Sequence, residues 1–176
     1  MLEKRVEFYN TKSQKIVGLL SLPKNKKPPI VIIIHGFKGA KEYHPFANNS
    51  VKPLVDAGIG VLRIDCRGSG ESDLEFKDMT IKSESEDVLT ALKYVKTLDI
   101  DAARISLIGI SMGVSAILLA MKKRSKIKAF VFWSPAWRFV IGSSFDTPEN
   151  RKQVKEQGGF WVTQGLTGKR SLSRGS

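Results

Sequence analysis

The chain has 176 residues, 41% hydrophobic and 26% charged, and carries a formal net charge of +12. That length and composition fit one domain with a sizeable core and exclude a disordered polymer. One cysteine excludes an intrachain disulfide framework and a Cys-rich zinc site, and two histidines leave little room for a His-rich metal centre.

In chain order, Val6–Tyr9 and Ile16–Leu22 are β-like runs joined by Asn10-Thr11-Lys12-Ser13, which predicts an N-terminal hairpin. After the polar, proline-rich stretch Lys24–Pro29, Ile30–Ile34 is β-branched on both faces, the pattern of a strand buried in a parallel sheet. Residues 44–57 read as a helix that Pro53 begins or breaks, because proline lacks the N–H and clashes with the preceding turn. Residues 59–64 form the next strand. Over 80–98, Val88, Ala91, Leu92, Val95 and Leu98 share one helical face, and Ser83 with Glu86 makes a capping box. Ile105–Ile110 is a strand, Met112–Lys123 an apolar helix and Ile127–Trp133 the last clear strand. This alternation predicts an α/β fold: a mostly parallel sheet with right-handed crossovers, helices on both faces and six strands in all. Beyond Pro135 no strand is evident, and residues 165–176 read as unstructured.

No apolar run reaches the roughly 18 residues of a membrane span. Met1–Glu7 has no apolar signal region, so a cytoplasmic chain with no membrane partner is expected. The charge is lopsided: residues 102–176 hold 13 Lys and Arg against 3 Asp and Glu. The run Lys122–Lys128 reads as a solvated helix end, where cations are favoured, and no nucleic-acid partner is expected. Gly168-Lys169 lacks the upstream glycine of a phosphate-binding loop, and Gly58-Ile59-Gly60 has Arg63 where a third glycine is needed; no cofactor is implied.

Gly109-Ile110-Ser111-Met112-Gly113 matches G-x-S-x-G where a buried strand passes into an apolar helix. A sharp turn there strains the serine backbone, needs small neighbours and lifts the hydroxyl to the carboxyl end of the sheet, beside a helix N-terminus. His35-Gly36-Phe37-Lys38-Gly39 and Asp65-Cys66-Arg67-Gly68-Ser69-Gly70-Glu71-Ser72 follow two other strands. All three loops therefore fall on the edge of an open α/β sheet where ligands bind.

With these three loops in this order, the chain resembles the N-terminal portion of α/β hydrolases, in form most like the feruloyl/cinnamoyl-esterase or dienelactone-hydrolase/peptidase-like branches. The resemblance implies a serine hydrolase that acts on a carboxylic ester, or a small amide, by acyl transfer through Ser111. It implies backbone N–H groups of Phe37 and Met112 as the oxyanion donors. It makes His35 a loop brace, His44 a surface or neighbouring residue, Asp65 a turn-fixing residue, Cys66 a core residue and Arg67 half of an ion pair. In the family the acid and the histidine follow the serine. Here no histidine follows residue 44, Ser134-Pro135 occupies a place some members give to the acid, and Asp146 lies in a segment without strand character. The expectation is a truncated core over 1–135, with 136–176 the start of a lid-like insertion plus a tail, and a chain nearly inactive alone. Strand 127–133 would be left as an exposed edge that favours self-association. The alternative is a non-catalytic binding or interaction module of the same fold.

Overall fold

The computed structural model describes residues 2–122, 126–136, 147–158, 160–163 and 170–173. Strands β1 (Leu2–Tyr9) and β2 (Lys15–Leu22) form the expected hairpin, with Tyr9 opposite Lys15. Asn10 closes it: its side-chain oxygen accepts the N–H groups of Lys12 and Gln14. Then follow β3 (Ile30–Ile34), α1 (Pro45–Asp56), β4 (Gly60–Ile64), a 3₁₀ turn at Phe76–Asp78, α2 (Ile81–Val95), β5 (Ile105–Ile110), α3 (Met112–Met121) and β6 (Ala129–Trp133). The main sheet has the order β1-β2-β4-β3-β5-β6. Pairs involving β3, β4, β5 and β6 among themselves are parallel, and β1 and β2 pair antiparallel.

The period-2 geometry of β3 divides the core into two layers. Ile30, Ile32 and Ile34 pack with Val88, Ala91, Leu92 and Val95 of α2 and with Ala116 and Ile117 of α3. Val31 and Ile33 face the opposite way, against Ala47, Val51 and Val55 of α1. Chain direction reverses around β3: the path moves outward to β4, then crosses back to β5 on the other side. The crevice above that reversal is where open α/β sheets bind ligands.

Four sequence expectations change. Pro53 neither begins nor breaks α1, because it falls in the last turn, where only one backbone bond is lost; Pro45 supplies the favourable first position instead. The capping box of α2 lies one turn earlier than expected. Thr80 is the N-cap and exchanges bonds with Ser83, while the Glu86 carboxylate turns to Arg67. The helix stops at Val95, short of Leu98. The C-terminal region is not free of strands: α4 (Pro148–Gln157) is followed by β7 (Phe160–Thr163), which pairs antiparallel with β8 (Arg170–Ser173). Asp146 lies outside the described residues.

Among the described residues β6 is an edge strand, paired only with β5. Phe130, Val131, Phe132 and Trp133 are 43%, 45%, 39% and 45% exposed. Among the described residues no helix is long and apolar enough to cross a membrane.

Glu84 lies on the buried face of α2, beside Asp87 and the apolar Val88, Ala91, Leu92 and Val95. It is fully buried, and neither carboxyl oxygen has a hydrogen-bond partner among the described residues. Burial, reinforced by nearby Asp87, pushes its pKa well above the usual carboxylate range, so the folded chain keeps a proton that the unfolded chain releases. Stability therefore falls as pH rises from the unfolded carboxylate value toward the raised folded one. Glu84→Gln removes that dependence. In thermal melts its midpoint should gain on the wild type steadily from pH 4.5 to pH 8; parallel midpoints across that range would contradict a buried neutral Glu84.

Candidate active site

Ser111 joins β5 to α3 with φ 51° and ψ −113°, a backbone region that side-chain-bearing residues rarely occupy. Such conformations cost on the order of 1–3 kcal/mol and persist only where the surroundings enforce them. Here the Ser111 N–H donates to Trp133 O at 2.9 Å, and Ser111 O accepts from Val114 and Ala136. Packing supplies the rest. A Cβ on Gly113 would lie 2.6 Å from both the Ile34 and His35 carbonyl oxygens, so α3 meets the end of β3 backbone to backbone. The Ser111 hydroxyl makes no capping bond to α3. Instead its side chain lines a cavity of about 270 Å³ with His35, Gly36, Phe37, Gly39, Tyr43, His44, Ile110, Trp133 and Ser134.

The loop after β3 runs directly beside the serine. A Cβ on Gly36 would be 2.9 Å from Ser111 Cβ and 3.6 Å from its Oγ. Phe37 follows, its ring tilted against Phe76 at 5.3 Å. The structure thus brings Phe37 to the same cavity as Ser111, and Met112 follows Ser111 as the first residue of α3 with its side chain buried.

Buried charge fixes this loop to the one after β4. Asp65, wholly buried, accepts from the Lys41 N–H at 2.7 Å, from Lys41 Nζ at 2.8 Å and from the Glu71 N–H at 2.9 Å. Lys41 Nζ also bonds Glu71 at 2.6 Å. Burial alone would lower the Lys41 pKa, but the two carboxylates outweigh it and raise it. Arg67 is held by Asp87: its N–H donates to Oδ2 at 2.8 Å and its Nε to Oδ1, with Glu86 and Gln14 on the same guanidinium. Burial pushes Asp87 up to about 6 against the pull of Arg67. Cys66 is buried, and burial with its acidic neighbours pushes the thiol well up, leaving it a poor nucleophile.

Both histidines of the chain line the cavity, and both have committed ring nitrogens. His35 Nδ1 bonds the Gly36 carbonyl at 2.8 Å, and Nε2 accepts the Cys66 N–H at 3.0 Å. Burial lowers its pKa, and the Gly36 bond opposes this. His44 is the N-cap of α1, and its Nδ1 accepts the Phe46 N–H at 3.2 Å. A backbone N–H can only donate, so Nδ1 holds a lone pair and the neutral ring carries its hydrogen on Nε2. His44 is therefore a wall of the site, closer to it than the sequence suggested; the His-Pro pair opening a helix just after the glycine-rich loop was the available signal. Tyr43 and Trp133 also line the cavity without having been singled out, as does Ser134, at the place some family members give to the acid. Ser134, like Ser111, has a positive φ, 46°.

The serine aminopeptidase S33 family profile matches residues 25–159. Among curated relatives, the thiohydrolase apmlB of Arthrinium phaeospermum is 30% identical over 86% of this chain and 48% of its own length. The 2-hydroxy-6-oxononadienedioate/2-hydroxy-6-oxononatrienedioate hydrolase of Escherichia coli K12 is 38% identical over 71% of this chain and 41% of its own length. The chain thus spans less than half the length of these relatives. Among solved structures, Est1E from Butyrivibrio proteoclasticus with bound ferulic acid superposes with a TM-score of 0.75 at 28% identity, covering 95% of this chain and 67% of that one.

The elbow makes opposite predictions for two of its positions. Ser111→Gly relieves the backbone strain and should raise the thermal midpoint, by about 2–4 °C for each kcal/mol recovered. Gly113→Ala drives a methyl group into two carbonyl oxygens and should lower stability by about 1–3 kcal/mol. Calorimetry of both variants checks this; a destabilised Ser111→Gly would contradict the strained geometry.

Proposed function

The chain belongs to the serine aminopeptidase S33 family of α/β hydrolases, and from that premise we propose that it is a serine hydrolase working by acyl transfer on a carboxylic ester or small amide. The Ser111 hydroxyl oxygen attacks the carbonyl carbon, and the N–H groups of Phe37 and Met112 hold the resulting oxyanion. The alcohol or amine then leaves and an acyl-serine remains. Water later adds to that acyl carbon and releases the acid.

The observation that carries this reading is the strained Ser111 backbone, stabilised at a cavity by packing that serves no other evident purpose. Strain of this kind collects where a side chain must be presented rather than packed. Esters are the leading class: Est1E is a structural neighbour with ferulic acid bound, and both curated relatives are named as hydrolases.

The weak step is activation of the serine. A hydroxyl needs a base within hydrogen-bond reach. Neither imidazole offers a free lone pair: His35 uses both ring nitrogens, and His44 spends Nδ1 on Phe46. In a serine protease the loss of the catalytic histidine alone costs on the order of 10⁶ in kcat. Acylation by an activated ester then proceeds slowly, and deacylation more slowly still. Spent imidazoles equally suit a non-catalytic binding module of the same fold, so the experiment has to separate the two.

Incubation with p-nitrophenyl butyrate, whose leaving group departs as the anion without needing a proton, should leave one butyryl group on Ser111. Intact-mass and peptide mass spectrometry should find it persisting, and absent in Ser111→Ala. An unmodified Ser111 supports the binding module, whereas rapid turnover without accumulation means that a base is present.

The same reading includes self-association through β6. Strand addition along its unpaired edge buries aromatic surface that is otherwise wet. Sedimentation velocity should detect concentration-dependent association, reduced by Val131→Lys. Equal sedimentation of both proteins as monomers would contradict it.

A further inference from the structure

We propose that His44 is a fixed hydrogen-bond donor to an acceptor oxygen of the ester bound over Ser111, acting through Nε2–H as a positioning and specificity residue and not as a base. The inference rests on the reading of Ser111 as the acylated residue.

Three features set the ring. As the N-cap of α1, with φ −91° and ψ 121°, His44 accepts the Phe46 N–H on Nδ1. Turning the ring over would put a carbon where Nδ1 sits and leave a helix N–H unpaired, a cost that buried or half-buried helix starts avoid. Phe46 meets the ring edge-on, with centroids 6.5 Å apart and planes at 76°. Phe46 is itself stacked on Trp133 at 4.1 Å, so the wall of the cavity is continuous from β6 to α1.

The consequence is chemical. The lone pair of the ring is committed, and its one remaining polar group is Nε2–H, which has no hydrogen-bond partner among the described residues. His44 lines the cavity that Ser111 and Phe37 also line. A neutral imidazole N–H pinned at a helix N-terminus polarises and positions a substrate oxygen without passing on its proton. No described acceptor competes for it, so Nε2–H is available to the oxygen of a bound ester.

Two variants separate the cap from the donor. The side-chain oxygen of asparagine stands where Nδ1 stands, so His44→Asn keeps the cap and loses the donor. The side-chain amide nitrogen of glutamine reaches where Nε2 reaches, so His44→Gln keeps the donor and loses the cap. Ethyl butyrate is titrated into the ¹⁵N-labelled chain and its variants. The chain has two histidines, and His44→Asn assigns their imidazole signals by deletion.

The expected result is an Nε2–H tautomer for His44 whose ¹⁵N signal moves on addition of ester. His44→Asn should bind ethyl butyrate about 3–10-fold more weakly with an unchanged thermal midpoint, the range a single hydrogen bond provides. His44→Gln should keep the affinity with a lowered midpoint. A hydrogen on Nδ1 of His44, or wild-type affinity in His44→Asn, overturns the inference. If the ester moves the amide signals of Phe37 and Met112 but not His44, the Ser111 reading stands and this one falls. If it moves none of them, the Ser111 reading fails and takes this inference with it.

Discussion

One peptide unit holds the site together: the link between β5 and α3, where Ser111 sits at φ 51°. A relaxed serine would let α3 begin further from the sheet. The observed turn instead forces the helix so close to β3 that Gly113 has no room for a methyl group against the Ile34 and His35 carbonyls. The hydrogen bond from Ser111 N–H to Trp133 O ties the same unit to the edge strand. Strain at one residue is thus offset by close packing on one side and a strand bond on the other. The side chain that results faces a cavity rather than the core.

The charged residues around the crevice serve geometry. Asp65 gathers Lys41 and the Glu71 N–H, and Asp87 gathers Arg67, both aspartates being wholly buried. Removing one partner from such a cluster leaves a buried charge uncompensated, which is far costlier than losing a surface pair. The Asp65 cluster locks the loop that carries Phe37 to the loop after β4, and the Asp87 cluster ties the latter loop to α2. The donors of an oxyanion site need that kind of support, because their value depends on being in place before charge develops. Glu84 stands apart from this network, its carboxyl oxygens without a hydrogen-bond partner among the described residues.

The central layers were legible in the residues because two periodicities coincide there. Ile30–Ile34 is apolar at every position, and the apolar face of 88–95 repeats at helical spacing, so a buried parallel strand and its covering helix follow directly. The three loops fell on one sheet edge for the same reason. What escaped was decided by contacts distant in sequence. Glu86 could not cap α2 because Arg67, nineteen positions earlier, takes its carboxylate. Arg170–Ser173 has little strand character of its own and becomes a strand only by pairing with Phe160–Thr163. For His44, a surface or neighbouring residue by sequence, the His-Pro pair marks a helix start but does not show that α1 opens toward Ser111. The roles of Ser111, Phe37 and Met112 rest on chemistry that neither pattern nor packing measures.

That chemistry is reached most directly with a small alkylboronic acid, whose boron accepts an electron pair from a serine oxygen and becomes tetrahedral, as an acyl carbon does under attack. The account predicts that butylboronic acid forms a tetrahedral adduct visible by ¹¹B NMR, moves the amide protons of Phe37 and Met112 downfield, and does neither with Ser111→Ala. An adduct that survives Ser111→Ala, or one that leaves those two amides unmoved, would contradict it.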